Sequence, residues 1–389
     1  MPLLSRKRVL LARIESTYGT DPVPTGASHA VLVRNMDVTP QENDLVARDL
    51  IRPYLGNSEQ IPAGTRARVS FEVEMAGAGT AGTAAPWSAL IRACGFAESL
   101  VAANVTGTAQ AGAASTITLH AGASAVDNFY RNQIIRLTGG TGSGQRRQII
   151  AYSGSTKVAT VAPAWATTPN ATSTFQIDAG AYYSPISGPS ISSFPSVTLY
   201  FNVDGVLHRL TGARGTVSIS MEAKQIPVFR FEFTGIYNAV TDTAAPTPVY
   251  TAWQTPLAVT NINTTPFQFH TVNAVMSSLS IDLANSIVHR TLVGGSESVL
   301  LTDREPAGNI VVEAETVAFR DWWSTARNVV LSNLDVTHGL NAGNIVQVYS
   351  GAVQVTNPSY SDMDGVQMLN MGLVLSPPTG DDEIVICAK

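Results

Sequence analysis

Two pairs of glutamates are the residues best placed for chemistry in this sequence. Glu72 and Glu74 lie two positions apart in one alternating segment, and Glu313 and Glu315 lie two positions apart in another. Residues at positions i and i+2 of a β-strand point to the same side of a sheet. Two carboxylates on one side could act as an acid–base pair, but no partner residues or cleft accompany either pair. We therefore interpret the glutamates as the hydrated face of two half-buried, similar strands.

The histidines and the glycine-rich segments form no catalytic or metal-binding pattern. Six histidines stand far apart, and none has the spacing of a metal-ligand pair. The segment 140–144 is rich in glycine but lacks the Gly-Lys-Ser/Thr ending of a phosphate-binding loop, which favours a hairpin turn. We predict no catalytic residue, no metal site and no cofactor, and therefore a protein that is not an enzyme.

The chain is long but carries few charges. Only 14% of its 389 residues are charged, against about 25% in an ordinary domain, and the net charge is −5. That balance argues against a protein built to grip a nucleic-acid backbone. Its two cysteines, Cys94 and Cys387, fit a reducing compartment, and no apolar run approaches the ~20 residues of a membrane helix. With so little charge on its surface, the chain is expected to be covered in part by copies of itself.

Alternation of apolar and polar residues with a period of two dominates the chain. It is clear in Val69–Met75, Val217–Glu222 and Phe229–Thr234. Asp204-Gly205 is a two-residue hairpin signal. Helical patterns are confined to a short segment that begins near Trp87 and a second segment, Phe319–Arg327, with Trp322 and Trp323 as its apolar face. The predicted fold class is mainly β, with short flanking helices.

Several features occur twice in the same order, which predicts a diverged duplication. Pro-Ala-Gly precedes the first glutamate pair and the Trp87 helix, and it also precedes the second pair and the Trp322 helix. Asp204-Gly205 and Asp364-Gly365 are each followed by a glycine at the same distance. The first copy is longer by about the length of the Ala-, Ser-, Thr- and Gly-rich stretch 101–180.

We interpret the two copies as β-sandwich or barrel repeats, and the stretch 101–180 as a small β domain inserted into the first. The insert is expected to lie outside any assembly and to be removable without loss of assembly. The predicted units are an N-terminal arm (1–27), a first repeat (28–100 and 181–240), the insert (101–180), a linker (241–256) and a second repeat (257–389).

The order of these segments resembles the tail tube (major tail) proteins of long-tailed bacteriophages. The opening LLARIESTYGTDP at Leu10–Pro22 is similar to the start of many such proteins. Other similar segments are strand Val31–Val38, loop Gln41–Thr65, strand Arg66–Met75, the Trp87 helix, Gly212–Val217 and Phe229–Gly235. A duplicated tube unit matches a variety of the family in which three chains form a ring that imitates sixfold symmetry.

The resemblance implies a structural virion protein that self-assembles into β-barrel rings, which stack into a hollow tail tube for genome ejection. Implied partners are further copies of the chain and the tape measure, tail terminator and tail tip proteins. Viral DNA would pass through the lumen without specific binding, and no membrane is involved. The implied location is the virion tail, assembled in the host cytoplasm. Contacts are implied at Asp49–Tyr54 and along Val9–Pro24, and the candidate contact residues are Leu10, Tyr18, Arg52, Tyr54, Trp87 and Trp322.

Two questions stay open at this point. Glu72, Glu74, Glu313 and Glu315 are candidates for the lumen wall, where carboxylates would repel DNA; alternatively they pair with arginines such as Arg66 or Arg304 at contacts between rings. The alternative function is a glycan-binding or adhesive β protein of a virion or cell surface. Its site would use residues of the insert: Tyr130, Arg147, Tyr152 and Trp165. A β-rich hydrolase whose catalytic residues meet only in space is the least favoured interpretation.

Overall fold

The structure is a computed structural model that describes residues 2–188, 190, 193–295 and 297–389. It is mainly β, as the sequence predicts, and the described residues form three short helices, of which the first, Gly26–His29, was not predicted. The predicted arm begins at residue 1, and the predicted first repeat contains residues 189, 191 and 192, all of which lie outside the described residues.

The elements fall into three groups along the chain. The first group is β1 (Arg8–Ile14), α1 (Gly26–His29), β2 (Ala30–Val31), β3 (Arg34–Val46), β4 (Ile61–Glu74), α2 (Ser88–Ala93) and β5 (Phe96–Val101). The insert contains β6 (Val105–Thr108), β7 (Ala111–Ala113), β8 (Thr116–Thr118), β9 (Ile134–Gly139), β10 (Arg146–Ser153), β11 (Val158–Ala162) and β12 (Thr174–Ile177). The chain then returns through β13 (Gly180–Pro185), β14 (Val197–Val203), β15 (Val206–Glu222), β16 (Val228–Tyr237) and β17 (Thr241–Asp242).

The last part of the chain contains nine strands and one helix among the described residues. They are β18 (Thr264–Phe269), β19 (Met276–Asp282), β20 (Asn285–Arg290), β21 (Ser298–Arg304), β22 (Ala307–Glu313), α3 (Trp322–Arg327), β23 (Leu331–His338), β24 (Val346–Met363), β25 (Val366–Leu375) and β26 (Val385–Ala388). The helix begins three residues later than predicted, because the Asp321 side chain accepts a hydrogen bond from the Ser324 amide and caps it.

Six strands in each half of the chain follow the same order. In the first half the order is β1–β14–β15–β16–β4–β3, and in the second it is β18–β23–β24–β25–β22–β19, with every pair antiparallel. A short helix, α2 or α3, follows the equivalent strands β4 and β22. The common order supports the interpretation of the chain as a duplication.

The strand order shows that the two Asp-Gly turns, which the sequence pattern predicts to be equivalent, are different turns of the repeat. Asp204-Gly205 joins β14 to β15, whereas Asp364-Gly365 joins β24 to β25, the next turn along the repeat. The equivalent of Asp364-Gly365 in the first half is therefore the turn 223–227. Two-residue hairpins need positive φ wherever they occur, so Asp-Gly marks a turn without specifying which turn it is.

The two halves share one hydrophobic core. Phe229, Phe231 and Phe233 of β16 stack in a row along one face of the sheet, and Phe71 of β4 packs beside them. Trp87 lies under this row, fully buried. The insert forms a separate seven-stranded sheet of order β6–β12–β9–β10–β11–β8–β7. Within the part of the chain that is described, no helix is long and apolar enough to cross a membrane.

Candidate assembly surfaces

The long strand β15 forms an internal junction between the sheets of the two halves, which are also joined where β13 pairs with β26. The C-terminal part of the long strand β15 pairs with β16 along one edge and with β19 of the second half along the other. Ser218 to Glu222 lie opposite Asp282 to Ser278 in antiparallel register. Eight strands therefore form one continuous layer in the order β3–β4–β16–β15–β19–β22–β25–β24.

The junction is closed by apolar side chains on the core face. Ile219 lies opposite Ile281, and Met221 lies opposite Leu279, and all four are almost fully buried. Cross-strand apolar pairs of this kind stabilise a sheet and fix its register. The junction is therefore a well-packed contact between two repeats, built into one chain.

The equivalent surface of the second half has no such cover. Among the described strands, residues Thr356–Met363 of β24 pair only with β25, so their other edge is open. Tyr360 lies opposite the buried Leu369, which places it on the core face, yet Tyr360 is 60% exposed. It packs against Trp323 of α3, with ring centroids 5.3 Å apart, and Trp323 is also exposed. An open strand edge beside exposed aromatic rings is a typical site of association.

The opposite end of the eight-stranded layer is also open. Strand β3 pairs only with β4 among the described strands, and it carries the half-buried Met36 and Val38 on its core face. Val38 lies opposite Val69 of β4, just as Ile281 lies opposite Gly308 of β22. By position in the repeat, β3 is the equivalent of β19, the strand that closes the internal junction.

Glu72, predicted to face the lumen, is held in an ion-pair network. Its carboxylate accepts hydrogen bonds from Arg34 (3.0 Å), Asn35 (2.7 Å) and Arg230 (2.6 Å). Burial alone would raise the pKa of Glu72, but the hydrogen bonds from Arg230, Arg34 and Asn35 outweigh it and hold the pKa below its ordinary value. Neither Arg66 nor Arg304, the partners considered from the sequence, takes part in this network.

The other three glutamates differ in their surroundings. Glu74 is half-buried and lies 3.9 Å from Arg34. Glu313 ends β22 on the face away from the core and is exposed, and Glu315 lies beyond the end of that strand. The same-side argument therefore holds for Glu72 and Glu74 but not for Glu313 and Glu315.

The six candidate contact residues divide into buried and accessible groups. Leu10, Trp87 and Trp322 are buried in the core of their own chain, so a contact role does not fit them. Trp87 donates a hydrogen bond to the Ala76 carbonyl (2.8 Å). Burial of this kind depends on distant strands and cannot be read from local alternation.

Tyr18, Arg52 and Tyr54 remain accessible to different degrees. The half-buried Tyr18 donates to the Val299 carbonyl and its ring lies under Arg214, which fixes the N-terminal arm to the hairpin β20–β21. Arg52 and Tyr54 lie in the loop 47–60, where the guanidinium stands over the exposed ring. This loop is shorter than the predicted Gln41–Thr65, because Leu45 and Val46 still pair with Pro62 and Ile61.

The sequence did not predict Tyr360, Trp323 or the half-buried Val38 as contact residues, and Trp323, expected on the apolar face of its helix, is exposed. Tyr360 stands between serines in a polar stretch, so no alternation marks it as an apolar position. The available signal was the adjacent pair Trp322-Trp323, since only one side of a short helix can face its own core.

The comparison with protein families decides the class of the molecule. The family model described as phage tail tube protein matches residues 5–373, a span that includes both halves and the insert. The chain belongs to the phage tail tube proteins. It is thus a structural component of the virion tail, as the resemblance of its opening segment and central strands indicated. A search of curated proteins gave no significant match.

The insert of this tube protein is fused to the second half by a common core. Side chains from the insert, among them Ile135 and Phe175, form one buried cluster with Tyr182, Tyr349 and Cys387 of the main sheet. The expectation that the insert can be removed without loss of assembly does not fit this packing. Among the described residues no group of three His, Cys, Asp or Glu side chains is arranged to hold a metal ion.

Hydrogen bonds also join the insert to the second half of the chain. Arg131 donates to the Gly380 carbonyl (2.6 Å), and Gln148 donates to the Asp382 carbonyl (2.9 Å). Lys389 donates to Asp178 of the insert (2.8 Å). The four residues considered for a glycan site, Tyr130, Arg147, Tyr152 and Trp165, are all buried, so a role in binding an external sugar does not fit them.

We expect His270 to make the folded tube protein less stable in acid. Its Nε2 donates to the Val353 carbonyl (2.9 Å), and its Nδ1 accepts from Arg320 (3.3 Å). Burial first, and then the charge of Arg320, lower the pKa of His270 to about 4.

Because the folded pKa of His270 is below the unfolded value near 6.5, its neutral form stabilises the fold above pH 6.5. That stabilisation is lost as the pH falls towards 4. We expect His270→Gln, which keeps the donor to Val353, to reduce the acid-dependent loss of unfolding free energy over this range by about 3 kcal/mol. Urea unfolding of both proteins at pH 7 and pH 4.5 measures the difference. Equal losses in the two proteins would contradict this role.

Proposed function

We propose that this tube protein self-assembles into rings of three chains, and that the rings stack into the tube through which the genome passes. The observation that carries the proposal is the internal junction, in which one repeat already closes on the next. The two repeats are proposed to act as two of six equivalent units in a ring, with the insert attached to the first. Closed rings also remove the open strand edges that would otherwise aggregate.

Matching the strands of the two repeats by their common order predicts the contact between chains. The open edge of β24 in one copy would pair with β3 of the next, as β15 pairs with β19 within the chain. In these registers Leu369 is the equivalent of Phe229, and Val312 is the equivalent of Val73. Tyr360, opposite Leu369, is then the equivalent of Ile219. In the same way, Val38 is the equivalent of Ile281, which pairs with Ile219. Tyr360 is therefore proposed to lie opposite Val38 of the adjacent copy, and Ser361 opposite Asp37.

The size of such a ring suits its function. Three copies, each giving the eight strands of its continuous layer, would form a barrel about 45–50 Å across between backbones, for strands about 4.8 Å apart and tilted by about 40°. Duplex DNA fits inside with room for side chains. The proposal needs no catalysis, and the tape measure, tail terminator and tail tip proteins remain its proposed partners, with assembly in the host cytoplasm.

The lumen is proposed to be lined by the sheet face that points away from the core. That face carries Glu72, Glu74 and Glu313 among small polar side chains such as Ser218 and Ser280. Because arginines offset the charge of Glu72, the wall would be polar and weakly acidic. Such a wall offers DNA no clustered basic groups to bind.

A cysteine pair tests the contact between chains. Asp37→Cys with Ser361→Cys places thiols at the proposed cross-strand pair, and Cys94 and Cys387 are buried and should not interfere. After mild oxidation of assembled protein, we expect disulfide-linked species that end at three chains on a non-reducing gel. Each single variant and the pair Asp37→Cys with Val126→Cys are the controls, since Val126 is an exposed position on the insert. A ladder that reaches six chains, or tubes without cross-links, would contradict the proposal.

A further inference from the structure

The hairpin β20–β21 covers the first repeat of its own chain at one end of the internal junction. The Val299 carbonyl of this hairpin accepts a hydrogen bond from Arg214 (2.9 Å), and the Val299 amide donates one to the Tyr18 hydroxyl (2.6 Å). The buried Leu301 packs over Gly95, where an added Cβ would lie 2.9 Å from Leu301 Cδ1. Asn285 donates to the Cys94 carbonyl (2.8 Å). The hairpin thus covers the segment that directly follows helix α2.

The corresponding segment of the second repeat is uncovered. Gly95 follows the last residue of the α2 cap with φ +85°, and Val329 follows the α3 cap Asn328 with φ +52°. Val329 and the two residues after it, Val330 and Leu331, are all apolar and exposed. The Val330 amide donates to the Thr325 carbonyl of α3, and Leu331 lies opposite Gln354 of β24, so these residues adjoin the helix and the strand that carry Trp323 and Tyr360. The position covered by Leu301 in the first repeat is therefore open to solvent in the second.

The backbone at Val329 adds an independent sign of function. Helices commonly end with glycine in the left-handed conformation, because a β-branched side chain is strained there. The first repeat follows that rule with Gly95, and the second replaces glycine with valine at the same place. A strained, exposed valine is explained if its side chain is buried by another molecule in the assembled state.

The first repeat has the segment suited to cover it. The equivalent of β20–β21 is the distal part of the β3–β4 hairpin, residues 45–61, because both segments join the equivalent strand pairs β3–β4 and β19–β22. This segment carries seven exposed apolar side chains: Leu45, Val46, Leu50, Ile51, Tyr54, Leu55 and Ile61. Ile51 and Leu55 are completely exposed, so none of the described residues of their own chain covers them.

We propose that segment 45–61 of one copy packs over Val329–Leu331 of the adjacent copy in the same ring, as β20–β21 packs over Gly95 within the chain. The inference rests on the proposed ring, since it needs β3 of one copy beside β24 of the next. The loop would then hold two adjacent copies together within one ring, and its binding partner would be a second copy of this chain. Contact of the same loop with a different ring is the competing possibility.

A photo-crosslinking amino acid at position 51 or 55 identifies what the loop touches. Tubes assembled from a mixture of ¹⁴N- and ¹⁵N-labelled protein distinguish links between copies from links within one. We expect mixed-isotope links to residues 329–331. Links from position 51 or 55 to any other segment, while the cysteine pair 37–361 still forms, would contradict the proposed contact of the loop with residues 329–331 but not the proposed ring. Failure of the cysteine pair as well would instead contradict the proposed ring.

Substitution of Val329 by glycine separates assembly from folding. Glycine relieves the strained backbone, so the isolated Val329→Gly chain should be at least as stable as the wild type. Removal of the side chain should nevertheless raise the protein concentration needed for assembly about tenfold, because a buried valine is lost from each contact. Val126→Gly, which changes an exposed valine outside the contact, is the control. Unchanged assembly, or an equal loss of stability in the unassembled chain, would overturn the proposal.

Discussion

Replacing Tyr360 by aspartate is expected to abolish ring assembly while the chain stays folded. Tyr360 is largely exposed in the single chain, and its side chain is not part of the core. A substitution there should change the free energy of unfolding by less than about 1 kcal/mol. In the proposed ring the same position lies opposite Val38 and beside Trp323, where an unpaired carboxylate would be buried at each of three contacts. An uncompensated buried charge costs several kcal/mol, which is enough to prevent closure.

Sedimentation and negative-stain microscopy at the concentration where the wild type assembles measure the effect of Tyr360→Asp. We expect monomers only, with an unchanged melting temperature. Val126→Asp is the matched control, since it places the same charge on an exposed apolar position of the insert and should assemble normally. Normal rings from Tyr360→Asp would show that the β24 edge is not a contact.

Deletion of the insert is expected to prevent folding of the chain. Removing residues 102–179 with a short Gly-Ser bridge would expose Tyr182, Tyr349, Val385 and Cys387, all of them buried against the insert. At roughly 1.5–3 kcal/mol for each large apolar side chain, the loss is comparable to the whole stability of a typical domain. The fully buried Asp335 would also lose the nearby charge of Arg146 (3.8 Å).

The fraction of soluble protein and its near-ultraviolet circular dichroism measure the outcome of the deletion. We expect insoluble protein, or soluble protein without fixed tertiary packing. The control is Val126→Ser with Phe129→Ser, which alters exposed side chains of the insert and leaves the shared core untouched. A deleted chain with a native melting transition would show that the insert is an independent unit.

The sequence predicts those features of the fold that depend on local pattern. Alternation in Val69–Met75 and Phe229–Thr234 identifies two central strands, because residues two apart share a face. The recurrence of a tryptophan helix after a glutamate-bearing strand predicts the repeat. The correspondence of individual turns cannot be predicted in this way, since Asp-Gly at 204 and 364 meets the same backbone requirement in different turns.

Features that depend on distant strands could not be predicted from the sequence. Trp87 was expected at a contact but is buried by Phe229 and Tyr183, which belong to strands more than ninety positions later in the chain. Glu72 was expected either at the lumen wall or paired with an arginine such as Arg66 or Arg304, and its partner across the sheet is Arg230. The exposed aromatic surface around Tyr360 is recognised only because its equivalent in the first repeat is covered.

Cryo-electron microscopy of the assembled tube tests the central claim most directly. The proposal predicts rings of three chains in which twenty-four strands form a continuous barrel, and in which β3 of each copy pairs with the Thr356–Met363 edge of the next. The two types of junction, one within a chain and one between chains, should then alternate around the ring. A ring of six chains, or a barrel in which β3 and β24 of adjacent copies do not pair, would contradict it.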